Sequence, residues 1–491
     1  MRFHNTVMLG LLCLFCFSTP ARVHASPAAL TFTPCYLTGS GGNGNLQAQC
    51  ANWSRPLNPD APDAEHVELF VARLPSTAIN PAKDAFTIIN GGPGGSSIDL
   101  MVDLAPVLQS FTRERDVIVV DQRGTGRSSP LECESLTDAP ETFDQQRIVE
   151  ATQACLEQLQ QDPRYFTTTV AVADLDALRA ELGYEQLSLY GVSYGTRVAL
   201  QYMREFPNAS RAVVLDGVVP PSISLGANVA INSQAALESV YQRCAQSTDC
   251  QRRFPQLKDD FERLSDVLKS APIPLQLQHP ITGVATDLDL TYAHLAVWLR
   301  LALYAPETSA LVPLIIDQAA NQGNYLPIAA SALRMVHQLT SSLTYGMHNA
   351  VVCTEDAPFY QAHPVSTDAL QRSYMGAEMV ETLKTMCSVW PRGSIHADMK
   401  MPLTSEVKTL VLSGEFDPIT PPAYGELILP GLSNARHIVA PGQGHGTIAR
   451  GCIPRLVLEF VESADLDAVD SQCTEHLSSF PFFTNLMGPP P

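Results

Sequence analysis

The segment Gly191-Val192-Ser193-Tyr194-Gly195 carries the clearest chemistry in this sequence. It follows an apolar, strand-like run and places a serine between glycines, the pattern of a nucleophile elbow that exposes a serine hydroxyl on a sharp turn. A second glycine-rich segment, residues 90–97, also follows an apolar run and can bring a backbone N–H close to an oxyanion. Together the two segments predict a serine hydrolase.

A serine hydroxyl is a weak nucleophile unless a base takes its proton. Of the twelve histidines, His445 has the most suitable setting, a glycine-rich turn between the last predicted strand and a final helix. Asp417 follows the preceding predicted strand, and Pro418 stiffens the loop directly after it. Ser193, Asp417 and His445 are therefore the predicted nucleophile, orienting acid and base, in the Ser, Asp, His order of one class of serine hydrolases.

Two other carboxylates compete with Asp417 for the role of orienting acid. Asp216 ends an earlier predicted strand, but Asp-Gly at 216–217 is also a good turn sequence, which favours a structural role. Glu415 is harder to exclude, because residues two apart on an extended segment share a face. Asp417 is the preferred acid.

The predicted oxyanion donors are the backbone N–H groups of Tyr194, directly after the nucleophile, and Gly92. A phosphate-binding loop is disfavoured at residues 90–97, because Pro93 lacks an N–H and no Lys-Ser/Thr pair follows. The sequence contains no HExxH motif, no Cys/His cluster and no dinucleotide fingerprint, so we expect neither a metal nor a cofactor.

Strand-like runs alternate with helical patterns, which predicts an α/β fold: a mostly parallel sheet with helices on both faces. The alternation stops at Pro220 and resumes only near Lys408. We therefore expect a large, mainly helical cap between the strand that ends near Leu215 and the strand that starts near Thr409. The predicted divisions are a signal peptide (1–25), two parts of the core (26–219 and 402–491) and the cap (220–401). The predicted strands are His66–Leu74, Phe86–Ile89, Asp116–Asp121, Leu187–Tyr190, Ala212–Leu215, Thr409–Ser413 and His437–Ala440.

The N-terminus has the charged, apolar and small-residue regions of a signal peptide, with cleavage expected after Ala25. The chain is thus predicted to be secreted or periplasmic, with no membrane span after cleavage. Removing this segment leaves ten cysteines in five sequence-neighbour pairs, and in an exported chain these favour disulfides. The expected pairs are Cys35–Cys50, Cys133–Cys155, Cys244–Cys250, Cys353–Cys387 and Cys452–Cys473. The formal net charge of −19 disfavours nucleic acid and anionic membranes as partners, and the oligomeric state is left open.

Six motifs in this order resemble the prolyl and tripeptidyl aminopeptidase family of α/β-hydrolases, over about residues 66–220 and 405–475. The signal peptide and paired cysteines look like its secreted tripeptidyl aminopeptidase branch. At position 90 this chain has Asn, whereas the iminopeptidase pattern begins His-Gly-Gly-Pro-Gly, which leaves the subfamily open. The motifs are Asn90–Ser97, Asp121–Ser128, Asp174–Arg179, Gly191–Gly195, Asp417–Pro421 and Gly444–Gly446.

The resemblance implies a peptide substrate with a free N-terminus, from which tripeptides or single residues are released. It also implies that an acidic cap residue binds the substrate ammonium, with Glu355 as the first candidate and Asp356 as the second. The alternative enzyme class is a secreted esterase that acts on small acyl esters, because the same triad serves both reactions. A noncatalytic binding protein is disfavoured, because Ser193, Asp417 and His445 are all present.

Overall fold

Most strands of the molecule belong to one central sheet. The computed structural model describes Met1 and residues 30–39, 44–133, 144–361 and 365–489. The strands are β1 (Thr33–Thr38), β2 (Asn45–Pro56), β3 (His66–Leu74), β4 (Asp84–Ile89), β5 (Val117–Val120), β6 (Gln186–Val192), β7 (Ser210–Asp216), β8 (Ile273–Gln278), β9 (Ala285–Leu290), β10 (Lys408–Gly414) and β11 (Ala435–Ala440). Within the described residues, nine of them form one sheet in the order β1-β2-β3-β5-β4-β6-β7-β10-β11.

The sheet has a parallel part and an antiparallel part. Strands β5, β4, β6, β7, β10 and β11 are parallel to one another, whereas β1, β2 and β3 form an antiparallel meander whose last strand, β3, pairs antiparallel with β5. The sequence analysis predicted the strands from β3 onward in this sheet but not β1 or β2. The sequence pattern did not predict the hairpin of β8 and β9 either, in which exposed side chains alternate with partly buried ones and Leu290 is buried.

Helices cover both faces of the sheet, because its parallel strands present apolar side chains on each side. On one face, Leu189 and Val213 pack with Val198 in one buried cluster. On the other face, Tyr190 and Val214 belong to a second cluster that includes Phe460. The helices of this part are α1 (Ser97–Asp103), α2 (Ala105–Leu108), α3 (Gln145–Gln158), α4 (Thr168–Glu181), α5 (Tyr194–Glu205), and, after the insertion, α16 (Pro422–Ile428) and α17 (Ile453–Ser463).

A mainly helical insertion separates β7 from β10, although the two strands are neighbours in the sheet. It has its own apolar cluster around Trp298, Leu299 and Phe261. The predicted fold class, including a cap inserted at this point, is therefore confirmed. Its helices are α6 (Val229–Gln246), α7 (Thr248–Arg253), α8 (Leu257–Ser270), α9 (Tyr292–Ala302), α10 (Pro306–Ser309), α11 (Val312–Gln322), α12 (Leu326–Ser342), α13 (Tyr345–Val351), α14 (Thr367–Arg372) and α15 (Glu378–Cys387).

The ten cysteines outside the predicted signal peptide form disulfides in five pairs. The pairing is Cys35–Cys50, Cys133–Cys155, Cys244–Cys250, Cys353–Cys387 and Cys452–Cys473, as predicted. Such a set is consistent with an extracellular or periplasmic protein. The predicted signal peptide, 1–25, lies outside the described residues apart from Met1. In the part of the chain that the structure describes, no helix combines the length and apolar character needed to cross a bilayer.

Candidate active site

Ser193 stands on the tight turn between β6 and α5. Its φ of 56° lies in the left-handed region, which costs energy for a residue with a side chain and holds the serine at the tip of the turn. Both flanking positions require glycine because there is no room for a Cβ atom. A Cβ at Gly195 would collide with the backbone oxygen of Ile89, and one at Gly191 would collide with the backbone oxygen of Gly195. The glycine spacing thus allows the helix to start against the strand edge.

His445 and Asp417 meet at the ends of neighbouring strands β10 and β11. The His445 Nδ1 atom lies 2.8 Å from Asp417 Oδ2. The backbone N–H groups of Ile419 and Thr420 donate to Asp417 Oδ1, each at 2.8 Å, and the Thr420 hydroxyl donates to Oδ2, also at 2.8 Å. The carboxylate is 4% exposed, so these donors replace the water that it has lost. This arrangement fixes the imidazole with Nδ1 toward Asp417.

The two competing carboxylates make other contacts. Glu415 accepts a hydrogen bond from the Gly442 N–H at 2.8 Å. Asp216 is fully buried and accepts from the Tyr190 hydroxyl and from the backbone N–H of Thr447. Asp216 therefore anchors the chain just after His445, while only Asp417 of the three hydrogen-bonds the imidazole among the described residues.

The buried acid and base perturb each other's protonation. Burial alone would lower the pKa of the His445 imidazole, but the charge and hydrogen bond of Asp417 raise it above its ordinary value of 6.5. Burial alone would raise the pKa of Asp417, but His445 and the donors from Ile419 and Thr420 hold it below its ordinary value of 3.8. Asp417 is thus an anion whenever His445 is able to accept a proton.

Two backbone N–H groups beside Ser193 are unengaged. Asn90 Oδ1 accepts from the Gly91 N–H at 2.7 Å, and Asn90 Nδ2 donates to the Ser96 oxygen at 2.8 Å. Among the described residues, the backbone N–H groups of Gly92 and Tyr194 have no acceptor. Asn90 therefore holds the glycine turn in shape, and the two predicted oxyanion donors are left available.

Ser193, His445 and Gly92 border one cavity of about 640 Å³, a volume in the usual range for a small-ligand site. Cap side chains such as Leu343 and Leu383 give it mainly apolar walls. The Tyr304 ring packs edge-on against the His445 ring, with the centroids 5.3 Å apart. The Tyr304 carbonyl also accepts the His445 N–H at 2.8 Å, so the cap directly contacts the proposed base.

Comparison with known proteins agrees with this geometry. Residues 84–253 match the family model described as alpha/beta hydrolase fold, and residues 372–473 match the model described as TAP-like protein. The chain therefore has the α/β-hydrolase fold. The first match contains Ser193, and the second contains Asp417 and His445.

Three relatives of this hydrolase are named for different activities. Serine protease Hip1 of Mycobacterium tuberculosis is 26% identical over 465 residues, which cover 87% of each chain. Tripeptidyl aminopeptidase of Streptomyces lividans is 30% identical over 192 residues, 35% of this chain and 36% of that protein. Carboxylesterase B of Mycobacterium tuberculosis is 26% identical over 473 residues, 87% of this chain and 86% of that protein. Together with the fold match, these relatives identify a serine hydrolase.

Glu355 and Asp356 belong to a buried ion cluster and are not among the residues that line the cavity. The Arg197 guanidinium contacts Asp356 at 2.8 Å and Glu355 at 3.7 Å, and Lys400 Nζ lies 3.1 Å from Asp356. Glu355 also accepts from the Thr168 N–H at 2.7 Å. The structure thus places both carboxylates where they connect the cap to α4 and α5. Their contact with a substrate ammonium stays a prediction.

The sequence analysis missed two residues that contact the proposed acid and base. Thr420 follows Asp417 by three residues, the spacing at which an aspartate turn receives donors from the chain ahead, so the sequence did contain a signal for it. Tyr304 had no such signal, because its position beside His445 depends on how the cap packs on the core.

Proposed function

We propose that this hydrolase is an exported serine exopeptidase that releases tripeptides or single residues from free peptide N-termini. Ser193 attacks the scissile carbonyl while His445 takes its proton, and Asp417 holds the imidazole and stabilises its protonated form. The N–H groups of Gly92 and Tyr194 receive the developing oxyanion. His445 then gives its proton to the leaving amine, and water repeats the sequence on the acyl-enzyme.

The observation that carries this proposal is the hydrogen bond between Asp417 and His445 at the edge of the cavity that Ser193 borders. The serine–histidine hydrogen bond commonly tightens only when substrate binds, so the free geometry is compatible with this role. A relative named tripeptidyl aminopeptidase and the TAP-like match over residues 372–473 support a peptide substrate. The cap over the cavity favours short pieces of chain over the middle of a long one.

The test is a panel of fluorogenic mono-, di- and tripeptidyl amides, each with a free and an N-acetylated terminus. We expect cleavage of the free substrates and a loss of kcat of about 10⁶-fold in Ser193→Ala. Ser239→Ala is the matched control, because this serine lies on cap helix α6 and only hydrogen-bonds its own helix. Equal hydrolysis of free and acetylated substrates would contradict an exopeptidase, and an active Ser193→Ala would contradict the assigned nucleophile.

The second candidate is an esterase that acts on small acyl esters. It is favoured by the mainly apolar cavity walls and by the relative named carboxylesterase B. Comparing p-nitrophenyl acyl esters with aminoacyl amides separates the two functions, because an amide needs the leaving amine to be protonated and an activated ester does not. High kcat/KM for the esters, with no amide cleavage at any peptide length, would replace the first proposal with the second.

A further inference from the structure

The charge on the cavity wall is opposite to the charge that the sequence predicted. The described residues that line the cavity include no aspartate or glutamate, whereas two arginines, Arg300 and Arg450, border it. Arg450 is paired with Glu307, so its charge is already balanced. Arg300, on the last turn of α9, has no carboxylate within 4 Å among the residues that the structure describes.

Arg300 also makes few hydrogen bonds to uncharged groups. Its Nη2 atom makes a 3.3 Å contact with the Tyr304 hydroxyl, and its Nε is buried with no hydrogen-bond acceptor. The arginines that are fully buried in the described part of the chain, Arg115, Arg123 and Arg197, each pair with a carboxylate, whereas the partly buried Arg300 does not. Arg243 lacks a carboxylate too, but its guanidinium lies over the rings of Phe416 and Phe482. A guanidinium that lines a cavity and has no carboxylate partner can receive an anion from outside through its outer nitrogens.

The position of Arg300 places that anion next to the proposed chemistry. Tyr304 contacts Arg300 through its hydroxyl and packs its ring against His445, so one tyrosine spans the gap between guanidinium and imidazole. The planar guanidinium fork matches a carboxylate in two parallel hydrogen bonds. We propose that Arg300 recognises a carboxylate on the substrate and so makes this enzyme selective for anionic substrates. The peptide form of this inference rests on the proposed exopeptidase function.

The carboxylate of a peptide can come from its C-terminus or from an Asp or Glu side chain, and a matched peptide set separates the two sources. All members have a free N-terminus and one neutral sequence. One carries a C-terminal amide, one carries a free C-terminal carboxylate, and the others are amides in which a Gln is replaced by Glu at one position at a time. The measured quantity is kcat/KM for each peptide divided by the value for the neutral amide.

We expect the wild type to prefer at least one carboxylate-bearing peptide. In Arg300→Gln this preference falls about 10- to 100-fold, the usual effect of a charged hydrogen bond, while Arg300→Lys keeps part of it. Arg243→Gln is the matched control, because it removes another partly satisfied arginine that does not line the cavity, and it keeps the preference. Thermal denaturation of each variant verifies that it is folded.

Two results would overturn the inference: a wild type that does not prefer any carboxylate-bearing peptide, or an Arg300→Gln variant that loses the neutral and anionic substrates equally. If the wild type cleaves no peptide at all, the exopeptidase function fails, and the same ratio is measured with p-nitrophenyl hemisuccinate against p-nitrophenyl butyrate. These esters differ by a carboxylate in place of a methyl group. A hemisuccinate preference that Arg300→Gln abolishes would support the inference, and its absence in the wild type would refute it.

Discussion

The core and the cap of this hydrolase hold their polar groups in different ways. In the core, Asp417 is fixed by donors only two and three residues ahead of it in the chain. In the cap, Glu355 is fixed by Thr168, which is 187 residues away, and Asp356 by Arg197, 159 residues away. Short local motifs therefore position the carboxylate of the proposed triad, whereas packing between distant segments positions the charges of the cap.

The largest effect is expected from Asp417→Asn, which tests the role of the locally positioned carboxylate in the core. An amide at this position keeps the shape but favours the wrong imidazole tautomer, so we expect kcat to fall by about 10⁴-fold with the fold intact. Steady-state kinetics on the best amide or ester substrate measures this loss.

Glu415→Gln is the matched control, because Glu415 is two residues away but hydrogen-bonds the Gly442 N–H and not the imidazole. We expect its kcat to change only a few-fold. If the two variants lost activity equally, the choice of Asp417 as the orienting acid would be wrong.

Asp356→Asn tests whether the buried charges of the cap are held by packing between distant segments. It leaves the Arg197 and Lys400 charges buried without their main partner, so we expect the free energy of unfolding to fall by about 3–5 kcal/mol, measured by urea denaturation. The charges of Arg197 and Lys400 outweigh burial and hold the pKa of Asp356 below its ordinary value of 3.8. Its stabilisation is therefore present above pH 3.8 and is lost as the pH falls through the lower folded pKa. If the variant were as stable as the wild type but no longer bound substrates with free N-termini, this result would support the prediction that Asp356 binds the substrate ammonium.

Glu355→Gln is the contrasting change in the same cluster. Burial outweighs the Arg197 charge and raises the pKa of Glu355 from 4.5 to about 7. The folded state then binds this proton more tightly than the unfolded chain, and the stabilisation is lost as the pH rises from 4.5 through 7. We expect the free energy of unfolding of Glu355→Gln, relative to that of the wild type, to be about 2 kcal/mol higher at pH 8 than at pH 5. An equal difference at both pH values would contradict a raised pKa.

The smallest expected effect is the pH dependence of the base. Since Asp417 raises the pKa of His445 above 6.5, the neutral imidazole is lost as the pH falls, and kcat/KM should decline on the acid side with a midpoint above 6.5. An ester substrate without ionisable groups keeps the substrate's own titration out of the profile. A midpoint below 6.5 would mean that the acid and base are not paired as described.

The sequence predicted the strands of the parallel sheet because their apolar runs are continuous and end at turn signals. It did not predict β1 and β2, since these strands mix polar and apolar residues, as in Asn45–Pro56. The same limit applies to the hairpin of β8 and β9, which is half exposed.

In the site, the placement of Ser193, Asp417 and His445 at one sheet edge could be predicted because each follows a strand of one sheet, and parallel strands bring their carboxyl ends to one edge. Their catalytic roles stay predictions. The environment of Glu355 and Asp356 could not be predicted, because Arg197 has no local signal that assigns it to them. The family resemblance implied acidic residues, Glu355 or Asp356, at the substrate site, and no local sequence pattern singles out Arg300.

The backbone bond from the His445 N–H to the Tyr304 carbonyl has a consequence for access to the site. If the cap moved away from the sheet, this amide would lose its acceptor and the imidazole would lose the ring that packs against it. Opening of the cap would therefore also remove two contacts that position the proposed base. Exchange of the His445 amide proton with solvent deuterium would report any such opening.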